Sequence, residues 1–380
     1  MPRKPLLLSI DRRILHEMLS IPTAPFAEHL VIDYVERFCA RRKGVKLVRD
    51  KVGNVLVHIK QGRRRIKRPV CLTAHLDHPG FVADRMKGKG RLRAFWRGGV
   101  PPEYFVGSRV RFWTGDRWVK STVRSIKTVT KSGRRRVETA NLEVGKDVPP
   151  ASIGMWDLPD PVVRGDRIHA RGCDDIAGAA AMLCCLDRLA RKRMACDAYF
   201  LFTRAEEVGF VGAIAAAKLG TIPKKCYVVA METSSQLPSA KMGDGPILRV
   251  GDRTSAFTPS VTAHCHAVAR DLAASDRQFT YQRKLMDGGT CESSAYCQLG
   301  HEATGLCVAL GNYHNVDLRR KKIGLEYIDL NDFDNVVKWF TELARSPRSY
   351  SGRDDTLVKL LAEIEGDYRT LLRASVKRPC

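Results

Sequence analysis

The stretch RGCDDIAGAAAMLCCLDRLARKRMACDAYFLFTRAEEVGFVGAIAAAKLGTIPKKCYVVAMET, residues 171–233, changes its apolar rhythm four times. Ala177 to Arg193 carries apolar residues at helical spacing, and Asp197 to Thr203 is a short apolar run of strand length. Gly212 to Leu219 then predicts a second helix and Cys226 to Met231 a second buried strand. Working outward, a helix near Pro259 to Ala274 and a strand at Gly305 to Leu310 continue the alternation. On the N-terminal side, Pro69 to Ala74 reads as another buried strand, and Val45 to Val48 and Asn54 to Ile59 flank a turn at Lys51-Val52-Gly53. Before them, Phe26, Leu30, Val31, Tyr34, Val35 and Phe38 repeat every 3.6 residues, which predicts an amphipathic helix over Phe26 to Arg42. Strands alternating with helices predict an α/β fold, a mixed sheet flanked by helices.

The grammar changes between about Met86 and Gly165. Leu92 to Trp96, Arg109 to Trp113, Trp118 to Ile126 and Arg136 to Leu142 are short β-rich pieces separated by Gly, Pro and Lys turns, so a small all-β, barrel-like domain is inserted there. The expected organisation is an α/β domain whose first part is residues 1–85, an insert over residues 86–165, and the rest of the α/β domain over residues 166–380. Trp96, Trp113, Trp118 and Trp156 read as core filling of the insert rather than a stacking platform. Asn331 to Arg345 and Asp355 to Leu372 have helical spacing, and the second is polar enough for a surface or partner-facing helix.

Composition narrows the class of function. Among 380 residues, 65 Lys and Arg against 41 Asp and Glu give a formal charge of +24, which invites a polyanion-binding reading. The basic residues are spread along the chain, however. Their densest clusters, Arg63-Arg64-Arg65 with Lys67-Arg68 and Lys131 to Arg136, lack interleaved aromatics and read as solvated turns. Twelve cysteines form no C-x-x-C pair and look like reduced interior thiols. Met1 to Ser9 is too short in apolar residues for a signal peptide, and no stretch has membrane-spanning length, so a cytoplasmic protein is expected.

Five short stretches hold the chemistry: Thr73-Ala74-His75-Leu76-Asp77, Gly172-Cys173-Asp174-Asp175, Arg204-Ala205-Glu206-Glu207-Val208-Gly209, Met231-Glu232-Thr233 and Gly311-Asn312-Tyr313-His314. Singly, each has an ordinary reading as a core histidine, a helix cap or a solvated acidic face. Jointly, carboxylates and imidazoles at the ends of five consecutive strands converge on one crevice, where so much buried like charge requires cations. Ligands of this kind accept zinc, cobalt or manganese.

These stretches, with Asp50-x-x-Gly53-Asn54, resemble the glutamyl-aminopeptidase/cellulase-like family of co-catalytic metallopeptidases over most of the chain. The resemblance implies two divalent ions, zinc above all, with His75, Asp174 and Glu232 holding one, Asp174, Glu207 and His314 the other, and Asp174 bridging. It implies that Glu206 is the general base. Adjacent side chains on extended backbone point apart, which suits a ligand at Glu207 beside a free base at Glu206. Asp77 follows His75 on the same face and would fix its tautomer. A cis peptide at Asp174-Asp175 is also implied.

Three departures from the family pattern matter. Glu232 stands where aspartate is usual, which keeps carboxypeptidase or N-acyl-amino-acid deacylase activity open beside aminopeptidase activity on peptides. His78-Pro79 follows the first motif, and His78 reads as a surface histidine in preference to a substrate contact. Gly288-Gly289-Thr290-Cys291-Glu292-Ser293 replaces a G-T-D-A-G run and is expected to shape the substrate pocket, with Glu292 taking the acid's role only after a one-residue shift. His264 and His266 on one helix project about 200° apart and do not chelate one ion. Relatives assemble through their inserted β domain, so a homo-oligomer between dimer and dodecamer is expected, with no membrane or nucleic-acid partner.

Overall fold

In a computed structural model, residues 9–63, 66, 68–131, 133–348 and 355–376 are described. Arg64, Arg65, Lys67, Ser132, Cys380 and most of the Met1 to Ser9 segment, all read above from sequence, lie outside them. Helices α1 (Ile10–Ser20) and α2 (His29–Ala40) precede strands β1 (Val45–Arg49), β2 (Val55–Gln61) and β3 (Val70–His75). The chain then builds β4 (Gly80–Met86), β5 (Arg91–Arg97), β6 (Arg109–Trp113), β7 (Trp118–Lys131), β8 (Arg134–Val144) and β9 (Ile153–Trp156). These six close into a barrel in the order β4-β5-β8-β7-β6-β9.

After the barrel come β10 (Val162–Arg164), β11 (Arg167–Ala170), α3 (Cys173–Arg191), β12 (Cys196–Thr203), α4 (Val211–Leu219), β13 (Tyr227–Ser235) and β14 (Ile247–Asp252). They are followed by α5 (Pro259–Ser275), β15 (Gln282–Met286), α6 (Glu292–Gln298), β16 (Ala303–Gly311), β17 (Val316–Asp317), β18 (Lys322–Ile323), β19 (Glu326–Asp329), α7 (Leu330–Arg345) and α8 (Asp355–Ser375). The main sheet is mixed, in the order β1-β2-β12-β3-β13-β16-β19-β11-β10, with β14 and β15 attached beside β16. Helices pack on its two faces, the larger apolar cluster joining α1, α2, α3, α5 and α7 to it and a smaller one lying under α4 and α6. Among the described residues, no helix is long and apolar enough to cross a membrane.

Several elements differ from the sequence reading for local reasons. Phe26 stays outside α2, with φ at 67° and its ring 55% exposed, because the chain turns there into Glu28. The basic segment from Lys131 to Arg136 is not a simple turn: its last residues sit on β8, paired through Val129↔Arg136 and Thr130↔Arg135 in a long hairpin. Trp96 and Trp156 fill the barrel core with Phe81, Phe105 and Phe112. Trp113 and Trp118 do not. They face each other across β6 and β7 with ring centroids 5.2 Å apart, half-buried, and the Arg111 guanidinium lies 4.5 Å over the Trp118 ring. The short strands β10, β11, β14, β15 and β19 were not legible, being brief or interrupted by charges.

His264 lies buried on α5, its ring meeting Tyr227 edge-on at 5.2 Å. Burial pushes its pKa down from 6.5 to about 4, with Arg348 and Arg68 adding to the shift. The unfolded chain therefore takes up this proton first, and the stability that neutral His264 contributes is present above pH 6.5 and is lost as pH falls through about 4. In urea titrations run with chelator, wild type is expected to lose roughly 2–3 kcal/mol over that window that His264→Gln retains; parallel curves would contradict this.

Candidate metal centre

Sheet direction sets the site. β12, β3 and β13 are parallel neighbours, and β13 is parallel to β16, so four carboxyl ends share one edge. β19 runs antiparallel to β16, and β11 antiparallel to β19, so β11 ends at that edge as well and β19 begins there. The motif-bearing strands are thus not five in a row: β19 intervenes, and it delivers Glu326 to the edge that the sequence reading missed. His75 ends β3, Glu206 and Glu207 follow β12, Glu232 sits late in β13, His314 follows β16, and Asp174 opens α3 just after β11.

The five expected ligands and Glu206 meet. His75 Nε2 lies 3.6 Å from Asp174 Oδ1, 3.7 Å from Glu232 Oε1 and 3.8 Å from Glu206 Oε2. His314 Nε2 lies 3.6 Å from Asp174 Oδ2 and 3.1 Å from Glu207 Oε2. Asp174 therefore turns one oxygen to each imidazole. Among the described residues, His75, Asp174 and Glu232 form one trio with donor atoms within 4.8 Å of one another, and Asp174, Glu207 and His314 form a second. A third trio of the same span contains His75, Glu206 and Glu207.

The outer nitrogens decide what these atoms want. His75 Nδ1–H donates to the Asp77 carbonyl at 3.1 Å, and His314 Nδ1–H to the Gly99 carbonyl at 3.0 Å. Each neutral ring then presents a bare Nε2 lone pair to carboxylates, and both Nε2 atoms, with Glu207 Oε1, are buried without a hydrogen-bond partner. Lone pairs facing carboxylates repel unless a proton or a cation lies between them. Divalent ions fit that donor set, since imidazole nitrogen and carboxylate oxygen are their usual ligands.

The electrostatics carry the same demand. Burial pushes Glu206 and Glu207 up, and Glu232 up to about 8, with neighbouring carboxylates adding to each. Burial opposes charge on Asp174 and on both imidazoles too, yet His314 and His75 hold Asp174 well below its usual range. The carboxylates in turn hold both imidazoles well above theirs.

A backing layer fixes the geometry. The Asp77 carboxylate accepts the Glu206 and Glu207 amides at 3.0 Å each, so it orders the turn that carries both glutamates. Its Oδ1 is 3.7 Å from His75 Nδ1, while that nitrogen donates its hydrogen bond to the Asp77 backbone carbonyl. The turn is not extended: Ala205 has φ of 53°, and Glu28 accepts its amide at 3.0 Å while pairing with the Arg204 guanidinium at 2.8 Å. Thr233 Oγ1 donates to Asp174 Oδ1, and the Asp174 amide donates to Glu326 Oε2. The Asp174–Asp175 peptide is cis.

Two expectations are corrected. His78 is fully buried rather than at the surface. Its Nδ1–H donates to the Asp174 carbonyl at 2.7 Å, and burial pushes its pKa down to about 3. Glu292 is buried beneath the site, where it accepts from Thr203 Oγ1 at 2.5 Å, because α6 packs its first turn against the sheet. Gly288, Gly289 and Thr290 do line the small cavity of about 80 Å³ over Asp174, Glu206 and Glu232. Arg249 and Tyr313 line it too, and sequence alone singled out neither. Arg249 is buried in β14 with its Nη1 donating to Ser234 Oγ, and Tyr313 stacks on the His314 ring at 3.8 Å. A left-handed residue on each side of Tyr313, Asn312 and His314, turns it there.

Known proteins resemble this chain. The family model described as M42 glutamyl aminopeptidase matches residues 53–318. The lysyl aminopeptidase of Pyrococcus furiosus is 22% identical over 355 residues, which span 87% of this chain and 95% of that protein. The aminopeptidase APDkam598 of Desulfurococcus kamchatkensis superposes with a TM-score of 0.70 at 21% identity, covering 88% of this chain and 94% of that one. The TET1 peptidase of Pyrococcus horikoshii, which can assemble into a tetrahedron or a large octahedral shell, does so with a TM-score of 0.71 at 20% identity, covering 88% and 99%. With the family match spanning well over half its length, the chain belongs to the M42 glutamyl aminopeptidases, hydrolases that act on peptide bonds.

Proposed function

We propose that the chain removes N-terminal residues from peptides at a centre of two divalent ions, zinc above all. One observation carries this reading: two trios of donor atoms share Asp174, whose oxygens diverge toward His75 on one side and His314 on the other. His75 and Glu232 complete one ligand set, Glu207 and His314 the other. Ions held there supply Lewis acidity that polarises the scissile carbonyl and makes hydroxide accessible near neutral pH.

The chain's own residues do the rest. Glu206 lines the cavity, whereas Glu207 turns to His314, and this difference supports Glu206 as the base rather than a ligand. Its carboxylate takes a proton from the attacking water and passes it to the departing amine. Asp77 acts through others: it fixes the turn bearing both glutamates and faces the His75 ring. Gly288 to Thr290 wall the cavity and orient the peptide. A homo-oligomer is part of the proposal, on the precedent of the Pyrococcus horikoshii shells.

Glu206→Gln is expected to keep its metal content by elemental analysis and lose about 10²–10⁴-fold in kcat on an aminoacyl reporter with a free amine. Equal activity in the variant would remove Glu206 from the mechanism. N-acylated substrates should resist wild type under conditions that cleave the free-amine form; the reverse preference would make the enzyme a deacylase. Asp77→Ala is expected to weaken metal binding by roughly 10–100-fold in competition with a chelating dye, and unchanged affinity would reduce Asp77 to a packing residue.

A further inference from the structure

Helix α8 stands apart from the rest of the fold. Every residue from Leu357 to Ser375 is exposed, although one side of the helix is strongly apolar. Leu357, Leu361, Ile364, Tyr368 and Leu371 are spaced by four, three, four and three residues, and each exposes between 47% and 66% of its surface. That spacing averages 3.5 residues, the repeat of a helix wound against another helix, rather than the 3.6 of a helix laid on its own core. Leu360 and Leu372 widen the stripe, while Lys359, Gly366 and Arg373 mark the opposite side at intervals of seven.

We infer that α8 is a self-association helix, and that the surface covering its apolar stripe is the same helix of a second copy of this chain. Charge argues against the other occupants. The helix carries Asp355, Glu363, Glu365 and Asp367 against Lys359, Arg369 and Arg373, a net of −1 in a chain of +24. A helix that binds an anionic bilayer or a nucleic acid needs the opposite balance on its polar face. Two nearly neutral copies meet without repulsion. Area is also sufficient: a specific interface needs about 1,000 Å² in all, or roughly 500 Å² per helix. The seven stripe residues meet this by giving up about 70 Å² each, within reach of side chains this exposed. A pairing under three heptads long is weak alone, but an assembly joined through another face presents several such helices at once, so two assemblies are held together multivalently.

The test compares the full chain with Ile364→Glu/Tyr368→Glu on the stripe and with Lys359→Glu on the opposite side, by light scattering and sedimentation. The stripe variant is expected to fall in mass by a factor of two or more, the Lys359→Glu control to match wild type, and hydrolysis per subunit to stay within about twofold for all three. A chain ended after Arg348 should reproduce the stripe variant. Wild type and stripe variant of equal mass, a monomeric wild type, or wild type captured by phosphatidylcholine/phosphatidylglycerol vesicles at unchanged mass would each overturn the inference. The mass difference between wild type and stripe variant reads only this helix and hydrolysis only the metal centre, so failure of one leaves the other standing.

Discussion

Six acidic and imidazole side chains are driven into one buried edge of the sheet, and no arrangement of them is tolerable without positive charge between them. The backing layer makes this demand unavoidable. With the outer nitrogen of each imidazole committed to a backbone carbonyl, each ring must offer its inner lone pair to the same small volume. Asp174 is caught between the two rings and cannot serve either alone. Everything else at that edge keeps these atoms from relaxing away from one another, from the Asp77 clamp on the glutamate turn to the Glu326 contact beneath Asp174.

Much of this was legible in the sequence, since parallel strands announce themselves as apolar runs and their ends fall where the polar motifs begin. His75, Asp174, Glu206, Glu207, Glu232 and His314 could each be placed at such an end, and the structure brings them together. What escaped did so for local reasons. Glu326 opens a four-residue strand too short to carry a rhythm, and Arg249 sits on a strand whose apolar run it interrupts. His78 resembles a surface turn residue because it stands beside Pro79 and Gly80, whereas it is buried against Asp174, Asn315 and Gly172. Glu28 was hidden inside an apolar periodicity, although its pairing with Arg204 holds the turn that carries the base.

The barrel is less separate from the α/β body than its strand order suggests. β4 starts only five residues after β3 ends, and the route out of the sheet carries Asp77 and His78, which hold the Glu206–Glu207 turn and the Asp174 backbone. On the way back the loop after β5 reaches His314, which it touches through the Gly99 carbonyl.

That single backbone contact limits how freely such an insert can be exchanged during evolution. A barrel borrowed from a cousin would keep its own core intact and still leave His314 free to swivel if its loop fell short. Inserts in this lineage should therefore diverge in their strands and outer faces while the loop over the histidine keeps its length, because there the graft must match the host.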